Sequence, residues 1–469
     1  MSTAHPTDTG DLRASGRSST SRLNDITGRA VLAVLLLAPV PLGSNRPVFW
    51  AIWAIVLGAI LAAYALVLKR KALKLRLPFA QLNVLTFLFC GVSLWIAVQI
   101  LPLGTLLPLP AVVSVAGYQL EFGSISLAPG DGLLAMLRWL SYGVLFFLAV
   151  QASVRRQRAR RLLWFVLLFV AAQAAYAMIA MLYLADQVVL VEKTQYLGEA
   201  TGTFINRNSL ATYLGFGAVV ALLLAMPDEP DTNPTRRRLR RTRFDLNMTS
   251  ENVLAAVALV LILAALLATG SRMGLFATAC GLATAGLLRL ATWRARLLSL
   301  GLLAAGGLLF LFTYGAGTVD RLIMVERDSE GRLSIYSDTF DMISARPLIG
   351  HGAQSFEFAF PLYDSDPTNS AYTFDKAHST YLTHWSELGL VFGSLPPLIV
   401  VLIGWTILSA YRASSQRPVE LCAPLGVIVV AAVHSTVDFS LEIQAVTFLF
   451  VTILGIGYAT AYELAKRTA

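Results

Sequence analysis

Apolar runs of about twenty residues recur along most of this chain and are separated by short charged or Pro- and Gly-rich breaks. Roughly 20 apolar residues in an α-helix cross a hydrocarbon core near 30 Å thick. The runs are too long and too continuously apolar for the alternating strands of a membrane barrel. The pattern therefore predicts an all-α, polytopic membrane protein with about twelve transmembrane helices. We place them at 30–43, 48–68, 79–101, 132–153, 161–185, 209–226, 252–269, 273–290, 297–315, 388–410, 420–437 and 444–462.

The composition agrees with this pattern, because 56% of the residues are hydrophobic and only 14% are charged. Soluble domains have roughly 45–50% apolar and about 25% charged residues. Residues 1–28 differ from the rest, since they are polar and rich in Ser, Thr and Arg. No small-residue cleavage site follows them, so we interpret them as a disordered cytoplasmic tail.

The net charge of +9 carries more information through its placement than through its size. With both termini inside, most Lys and Arg residues fall in cytoplasmic connections, as the positive-inside rule requires. The run RRRLRRTR at 236–243 then becomes a topology anchor on the anionic inner leaflet. We therefore expect membrane lipids, and no nucleic acid, as its partners. The absence of a P-loop and of a G-x-G-x-x-G turn also argues against direct use of a nucleotide.

The basic residues that break this rule lie on the predicted outer face, and one lies inside a predicted span. Arg138 is about two turns into the fourth span, where a charge is costly unless it faces a cavity or finds a partner. Asp131 is on the same helix face, so a structural pair and a role in substrate binding are both open. The outer residues are Arg46, Lys193, Arg207, Arg272, Arg321, Arg327, Arg332, Arg346 and Lys376.

One predicted external segment is long enough to build a site, and it divides the chain into parts. Helices 1–9 occupy residues 29–315, the large periplasmic loop occupies 316–387, and helices 10–12 with a short cytoplasmic tail occupy 388–469. Within the loop, the apolar spacing of Leu333, Tyr336, Phe340 and Ile343 predicts one amphipathic helix. The spacing of Tyr381, Leu382, Trp385 and Leu388 predicts another.

The same loop contains histidines and acidic residues that need an interpretation. His378 and His384 are six residues apart and do not share a helix face, and no H-E-x-x-H motif occurs, so no metal site is expected there. The D-x-D pair Asp364 and Asp366 is a weak metal motif. His378 lies beside an amphipathic helix and near arginines. A histidine of near-neutral pKa can accept a proton from a hydroxyl, and guanidinium groups can bind a diphosphate bidentately.

Four patches in this order resemble the bacterial O-antigen ligase and polysaccharide polymerase superfamily. They are PLGSNRP at 41–47, GTFINRNSLATYL at 202–214, TGSRMGL at 269–275, and the stretch 331–393 with PLIGHG and AHSTYLTHWSELGLVFG. The stretch 434–445 resembles a late patch of the same family. Departures are Ser379, where the family often has Asn, and Met273, where it often has Gly.

The resemblance implies a GT-C-like transferase on the periplasmic face of the bacterial inner membrane. It would move a glycan from an undecaprenyl diphosphate carrier to a hydroxyl of lipid A core, another glycan or a protein, without cofactor or metal. His378 would be the base or would orient the acceptor, and Arg272 and Arg332 would bind the donor diphosphate. Arg207 and Asn208 are further candidates for the donor. Possible supporting residues are Ser271, Arg138, Tyr381, Glu387, His434 and Asp438.

Alternatives remain open for some of these residues and for the function. Asn206 or Asn208 can serve as a helix cap, and His434 and Asp438 can form a structural i,i+4 pair. An O-antigen ligase-like enzyme is our first hypothesis, and a polymerase or a protein O-oligosaccharyltransferase of the same superfamily is the alternative. A lipid-linked glycan flippase would predict internal repeats and charges along a path through the bilayer. A scaffolding protein would not need the outer cations.

Overall fold

The computed structural model describes residues 9–106, 108–189, 191–227, 249–290, 297, 301, 334–365 and 374–468. These residues are mostly helical, and one short antiparallel pair joins Val112–Val113 to Gln119–Leu120. The helices are α1 (Thr9–Leu37), α2 (Pro47–Arg70), α3 (Asn83–Ile100), α4 (Pro129–Ser153), α5 (Arg156–Tyr183), α6 (Arg207–Ala225), α7 (Ser250–Ala268), α8 (Arg272–Arg289), α9 (334–345), α10 (Phe356–Ala359), α11 (Thr380–Gly393), α12 (Leu395–Ala413), α13 (Val419–His434) and α14 (Gln444–Thr468).

Within the described residues, 8 helices are long and apolar enough to cross a membrane. They are α2, the Phe79–Ile100 helix that includes α3, α4, α5, α6, α7, α12 and α14. The predicted all-helical membrane fold is thereby confirmed. The number twelve stays a prediction, because the proposed span at 297–315 lies outside the described residues apart from Leu297 and Gly301.

The helices run between two chemically different ends of the bundle. At one end, Arg156 of α5 pairs with Glu420 of α13 at 3.7 Å, and Arg289 of α8 donates to the carbonyl of Pro227 at 2.9 Å. We call this the basic end. The other end, where α6 and α8 begin, is called the polar end. Helix α1 packs along α2 between these two ends. The Tyr64 hydroxyl donates to the Asn24 side-chain oxygen, and the Trp53 indole N–H donates to Ser44 Oγ in the turn after α1.

Residues 9–28, expected to be disordered, belong to α1, and Leu23, Asn24 and Thr27 are buried there. A span boundary was also wrong, because the span placed at 388–410 combines parts of two helices. Helix α11 ends at Gly393 and α12 begins at Leu395. Gly389 interrupts the helical backbone with φ +77°, and a Cβ there would lie 2.3 Å from the carbonyl oxygen of Leu348. This crossing of two backbone segments needs a glycine. The apolar residues continue across the break, so hydropathy does not reveal it.

A small packed layer covers part of the polar end and is built from two connections. Ile335, Met342, Phe356 and Phe360 of the predicted long loop share an apolar core with Val112 of the α3–α4 connection. From the sequence, only the long loop was predicted to form structure at this end of the protein. The helix predicted around 333–343 exists, but it buries Ile335 and Met342, whereas Phe340 is 54% exposed. Ile343 is buried and Tyr336 packs against this core, as predicted, so the predicted apolar face was wrong at Phe340 and missed Ile335 and Met342.

Candidate functional site

Three sequence patches meet in a chain of hydrogen bonds at the polar end. Ser271 donates from Oγ to the side-chain oxygen of Asn208 at 2.8 Å. The Asn208 amide Nδ2 donates in turn to Asp438 at 3.0 Å, and Ser440 donates to the other carboxylate oxygen of Asp438. Ser271 and Asp438 are almost completely buried. A buried carboxylate needs such donors, so the chain is both a structural and an electrostatic unit.

Two helices begin at this network, each with a polar cap followed by an arginine. Asn206 caps α6 by accepting from the backbone N–H of Asn208 at 2.7 Å, and Ser271 caps α8 by accepting from Gly274 at 3.2 Å. Of the two asparagines considered as helix caps from the sequence, Asn206 caps α6, whereas the Asn208 side chain belongs to the hydrogen-bond network. Arg207 and Arg272 occupy the first helical positions, where the helix dipole disfavours a cation. Two cations and two helix N-termini create a region of positive potential that suits an anion.

The two arginines differ in what they contact. Arg272 is exposed, and within the described part of the chain no hydrogen bond or ion pair joins it to another group. Arg207 is paired with Glu199, and its guanidinium group lies 5.3 Å from the centre of the Tyr196 ring. An anion can reach Arg272 directly but has to compete with Glu199 for Arg207. Arg332, predicted to share their role, lies outside the described residues, as do Arg321 and Arg327.

His378 lies at the start of α11, next to the segment that links α13 to α14. We call residues 435–443 the connector. The imidazole ring is 5.4 Å from the Phe439 ring, nearly edge-on, and the His378 carbonyl accepts from the Tyr336 hydroxyl at 3.2 Å. Thr380 donates from its backbone N–H to Asp438 O at 3.2 Å. His378 is therefore joined through the connector to the Asp438–Asn208–Ser271 chain. Tyr381 instead donates to the Ala432 carbonyl at 3.2 Å and fixes α11 to α13.

His434 and Asp438 reach different residues of α6. His434 is 2% exposed, and its Nδ1 lies 2.5 Å from the Thr212 hydroxyl oxygen. That hydroxyl also donates to the carbonyl of Asn208 at 3.1 Å, so its single hydrogen is used and we assign the imidazole hydrogen to Nδ1. Helix α13 ends at His434, so Asp438 lies in the connector beyond it. The i,i+4 helical pair considered from sequence does not describe this arrangement.

A second polar cluster surrounds Arg138, and sequence reasoning found only part of it. The guanidinium group donates to the Glu442 carbonyl at 3.1 Å and to Gln354 Oε1 at 3.0 Å, and lies 4.3 Å from the Trp50 ring centre. These partners replace the Asp131 pair considered from sequence. Lys376 Nζ is 3.2 Å from Glu442 Oε2, and both side chains are buried. Glu442 precedes an apolar span, and an acidic residue beside a membrane segment is unusual. This feature of the sequence could have indicated Glu442 as a member of the cluster.

Further titratable groups at this end of the protein are buried or half-buried. Burial raises the pKa of Glu387 to about 7, although Lys376 lowers it in part. Burial also lowers the pKa of His384. His351 is completely buried between the Ser386 carbonyl and the Tyr363 hydroxyl, and burial lowers its pKa to about 4. His351 is therefore a neutral, structural histidine at physiological pH.

Two other residues of the predicted outer set have structural partners. Arg346 is 5% exposed and donates to the Ile125 carbonyl at 3.2 Å, which holds the two connections of the covering layer together. Lys193 pairs with Asp186 at 2.8 Å. For metal binding, the described residues contain no group of three or more His, Cys, Asp or Glu side chains arranged for an ion. Of the predicted D-x-D pair, only Asp364 lies within the described residues.

Comparison with known families supplies the remaining evidence. Residues 257–395 match the family model described as O-Antigen ligase. This match covers less than half of the chain and supports a relation to the O-antigen ligase superfamily. The matched region includes Ser271, Arg272, His378 and Glu387, and members of this superfamily are glycosyltransferase-like ligases and polymerases. The resemblance found from the sequence patches is confirmed. No curated protein matched the chain.

Proposed function

We propose that this protein is a membrane glycosyltransferase that moves a glycan from undecaprenyl diphosphate to an acceptor hydroxyl, as O-antigen ligases do. The main support for this proposal is that sequence patches far apart in the chain meet at one end of the bundle. Asn208, Ser271, Asp438 and the His378 segment are hydrogen-bonded into one unit beside two helix N-termini. A site that joins a cationic region to a histidine suits transfer from a diphosphate carrier.

The proposed reaction uses the residues of this end in distinct roles. The acceptor hydroxyl oxygen attacks the anomeric carbon, and the bond from that carbon to the diphosphate oxygen breaks. His378 accepts the hydroxyl proton, and the guanidinium groups of Arg272 and Arg332 neutralise the charge on the departing undecaprenyl diphosphate. Arg207 joins them when it exchanges Glu199 for phosphate. Asn208, Ser271 and Asp438 hold the helix starts that present these arginines.

The distribution of charge supports an orientation in the bacterial inner membrane. The basic end has Arg156, Arg289 and Arg417, and Lys466 and Arg467 lie in the last turn of α14. By the positive-inside rule this end faces the cytoplasm and the polar end faces the periplasm. Twelve spans with both termini in the cytoplasm fit this orientation. The carrier's polyprenyl tail would then lie in the bilayer beside the helices.

Transport is less well supported than transfer. Arg138, the basic residue predicted inside a span, is held at the polar end by Gln354 and the Glu442 carbonyl. It therefore does not mark a path through the bilayer of the kind that a flippase needs. The acceptor can be lipid A core, a second lipid-linked glycan or a protein, which distinguishes a ligase from a polymerase and a protein O-oligosaccharyltransferase.

Disruption of the gene followed by analysis of surface glycans tests the proposal and its subclass. A ligase mutant loses attachment to lipid A, a polymerase mutant loses polymer length, and a protein glycosyltransferase mutant loses protein glycans. Reconstitution of the purified protein in liposomes with an undecaprenyl diphosphate glycan tests the chemistry directly. An unchanged set of surface glycans, together with no transfer in liposomes, would contradict the proposal.

A further inference from the structure

The segment that carries His378 is fixed to the connector on both sides of the histidine. On the C-terminal side, Ser379 donates from Oγ to the Ser435 carbonyl at 3.2 Å, and the Thr380 hydroxyl donates to the Asp438 carbonyl at 3.1 Å. On the N-terminal side, Lys376 Nζ lies 3.2 Å from Glu442 Oε2. One nine-residue stretch, 435–443, therefore determines the position of the histidine relative to Asp438 and Asn208.

His378 needs such anchoring because its backbone is in the left-handed region, with φ +52°. A residue with a Cβ is disfavoured in this conformation and keeps it only where the surrounding contacts impose it. The carbonyl of His378 is held by Tyr336, but this contact comes from α9 and does not relate the histidine to the connector. The Lys376–Glu442 pair is the contact that does so from the N-terminal side.

The pair is better suited to fixing geometry than to stabilising the fold. Its side chains are only 6% and 5% exposed, and Lys376 Nζ and Glu442 Oε1 have no hydrogen-bond partner among the described residues. A buried ion pair with incomplete hydrogen bonding is often no more stabilising than two apolar side chains. Glu442 is also tied to α4, because Arg138 donates to its carbonyl. The pair thus connects the histidine segment to a fixed point in the bundle.

We propose that Lys376 and Glu442 are positioning residues that hold His378 in register with the donor-binding helix starts. This inference rests on the proposed function, since it assigns the pair a role in glycan transfer. Loss of the pair should move the imidazole without removing it. The proposal therefore predicts a lower rate of the chemical step at nearly unchanged substrate affinity.

The test compares Lys376→Met, Glu442→Gln, the double variant and Lys376→Arg in liposomes containing the lipid-linked glycan. We expect each single variant to lower kcat roughly a hundredfold with KM nearly unchanged, because misplacement by about 1 Å can cost that much. The double variant should be no slower than the slower single variant, since the two residues act as one unit. Lys376→Arg keeps the charge and should retain most of the activity. Additive effects, or wild-type kcat in both single variants, would overturn the proposal.

Amide hydrogen exchange of residues 376–380 provides a readout that does not require turnover. Lys376→Met and Glu442→Gln should each accelerate exchange of these amides, and unchanged exchange would overturn the proposal even if no substrate is turned over. A matched control is Asp25→Asn, which breaks the pair between Asp25 and the buried Arg158 at the basic end. This control should leave kcat and KM of the folded protein unchanged. Absence of transfer by the wild-type protein would count against the proposed function alone.

Discussion

Asn208 donates a hydrogen bond of 3.0 Å to Asp438, a residue 230 positions away in sequence. The other atom of the same amide accepts from Ser271, so one side chain joins α6, α8 and the connector. An amide has both a donor and an acceptor, and here both are used.

Replacement of Asn208 by alanine should therefore destabilise the polar end and weaken donor binding. It removes a donor to the buried Asp438 carboxylate, and such a loss costs roughly 1–3 kcal/mol. Thermal unfolding and donor binding in detergent would measure the two effects. Asn206→Ser is the matched control, since serine can still cap α6. Wild-type stability in Asn208→Ala would contradict the network described above.

His378→Ala should leave the protein inserted and stable while it abolishes transfer from the lipid-linked glycan. The ring is half-buried against Phe439, so its loss removes few contacts. General base catalysis typically contributes about 10²–10⁴-fold to a rate. Single-turnover transfer in liposomes would measure the loss, with membrane insertion checked in parallel. Full residual activity would remove His378 from the proposed role.

Arg272→Ala should weaken donor binding with little change in stability, because Arg272 is exposed and has no partner among the described residues. Arg332→Ala is also expected to weaken donor binding. Arg272→Lys should restore only part of the affinity, since an ammonium group cannot bind a phosphate bidentately. Binding of undecaprenyl diphosphate to the purified variants is the measurement. Wild-type affinity in both alanine variants would exclude these arginines from the donor site.

Glu199→Gln should strengthen donor binding, in contrast to the arginine variants. Glu199 now pairs with Arg207, and Gly270 beside them leaves room for this contact. A neutral glutamine would compete less well with a diphosphate for the guanidinium group. The gain in affinity should disappear in the Glu199→Gln, Arg207→Ala double variant. Weaker binding in Glu199→Gln would show that the pair itself is needed for the site.

The buried Glu387 carboxyl should lower the free energy of unfolding as the pH rises from about 4.5 to about 7. Burial raises its pKa to about 7, so in this interval the folded protein keeps a proton that the unfolded chain has released. The contribution of this proton to the free energy of unfolding is complete below about pH 4.5. It decreases by about 1.4 kcal/mol per pH unit and is lost above about pH 7. Glu387→Gln resembles the protonated acid and should remove this slope. Parallel pH profiles of unfolding for the variant and the wild type would contradict the assignment.

The sequence predicted the parts of this molecule that depend on local information. Apolar runs fix helices such as α2 and α6, because a span is decided by about twenty consecutive residues. The motifs around Asn208, Ser271 and His378 were likewise recognisable one at a time. The break at Gly389 was missed because its cause is the backbone of Leu348, some forty residues earlier, which only the fold brings close.

The same reason explains which members of the site were found. Arg138 was noticed because a charge in an apolar helix is unusual, but its partners Gln354 and Glu442 are 216 and 304 residues away. The Lys376–Glu442 pair likewise joins segments with no local relation. Hydrogen bonds between distant segments follow from tertiary packing, and a single sequence contains no direct record of them.

The place of the connector between α13 and α14 also governs when the protein can become active. During synthesis, residues 435–443 leave the ribosome after α6, α8 and the His378 segment have already been made. Until then Asn208 lacks its carboxylate partner Asp438, and Lys376 lacks its ion-pair partner Glu442. A chain that stops before Glu442 would contain the histidine and the arginines yet lack the piece that aligns them. Incomplete products of translation should therefore not transfer the glycan.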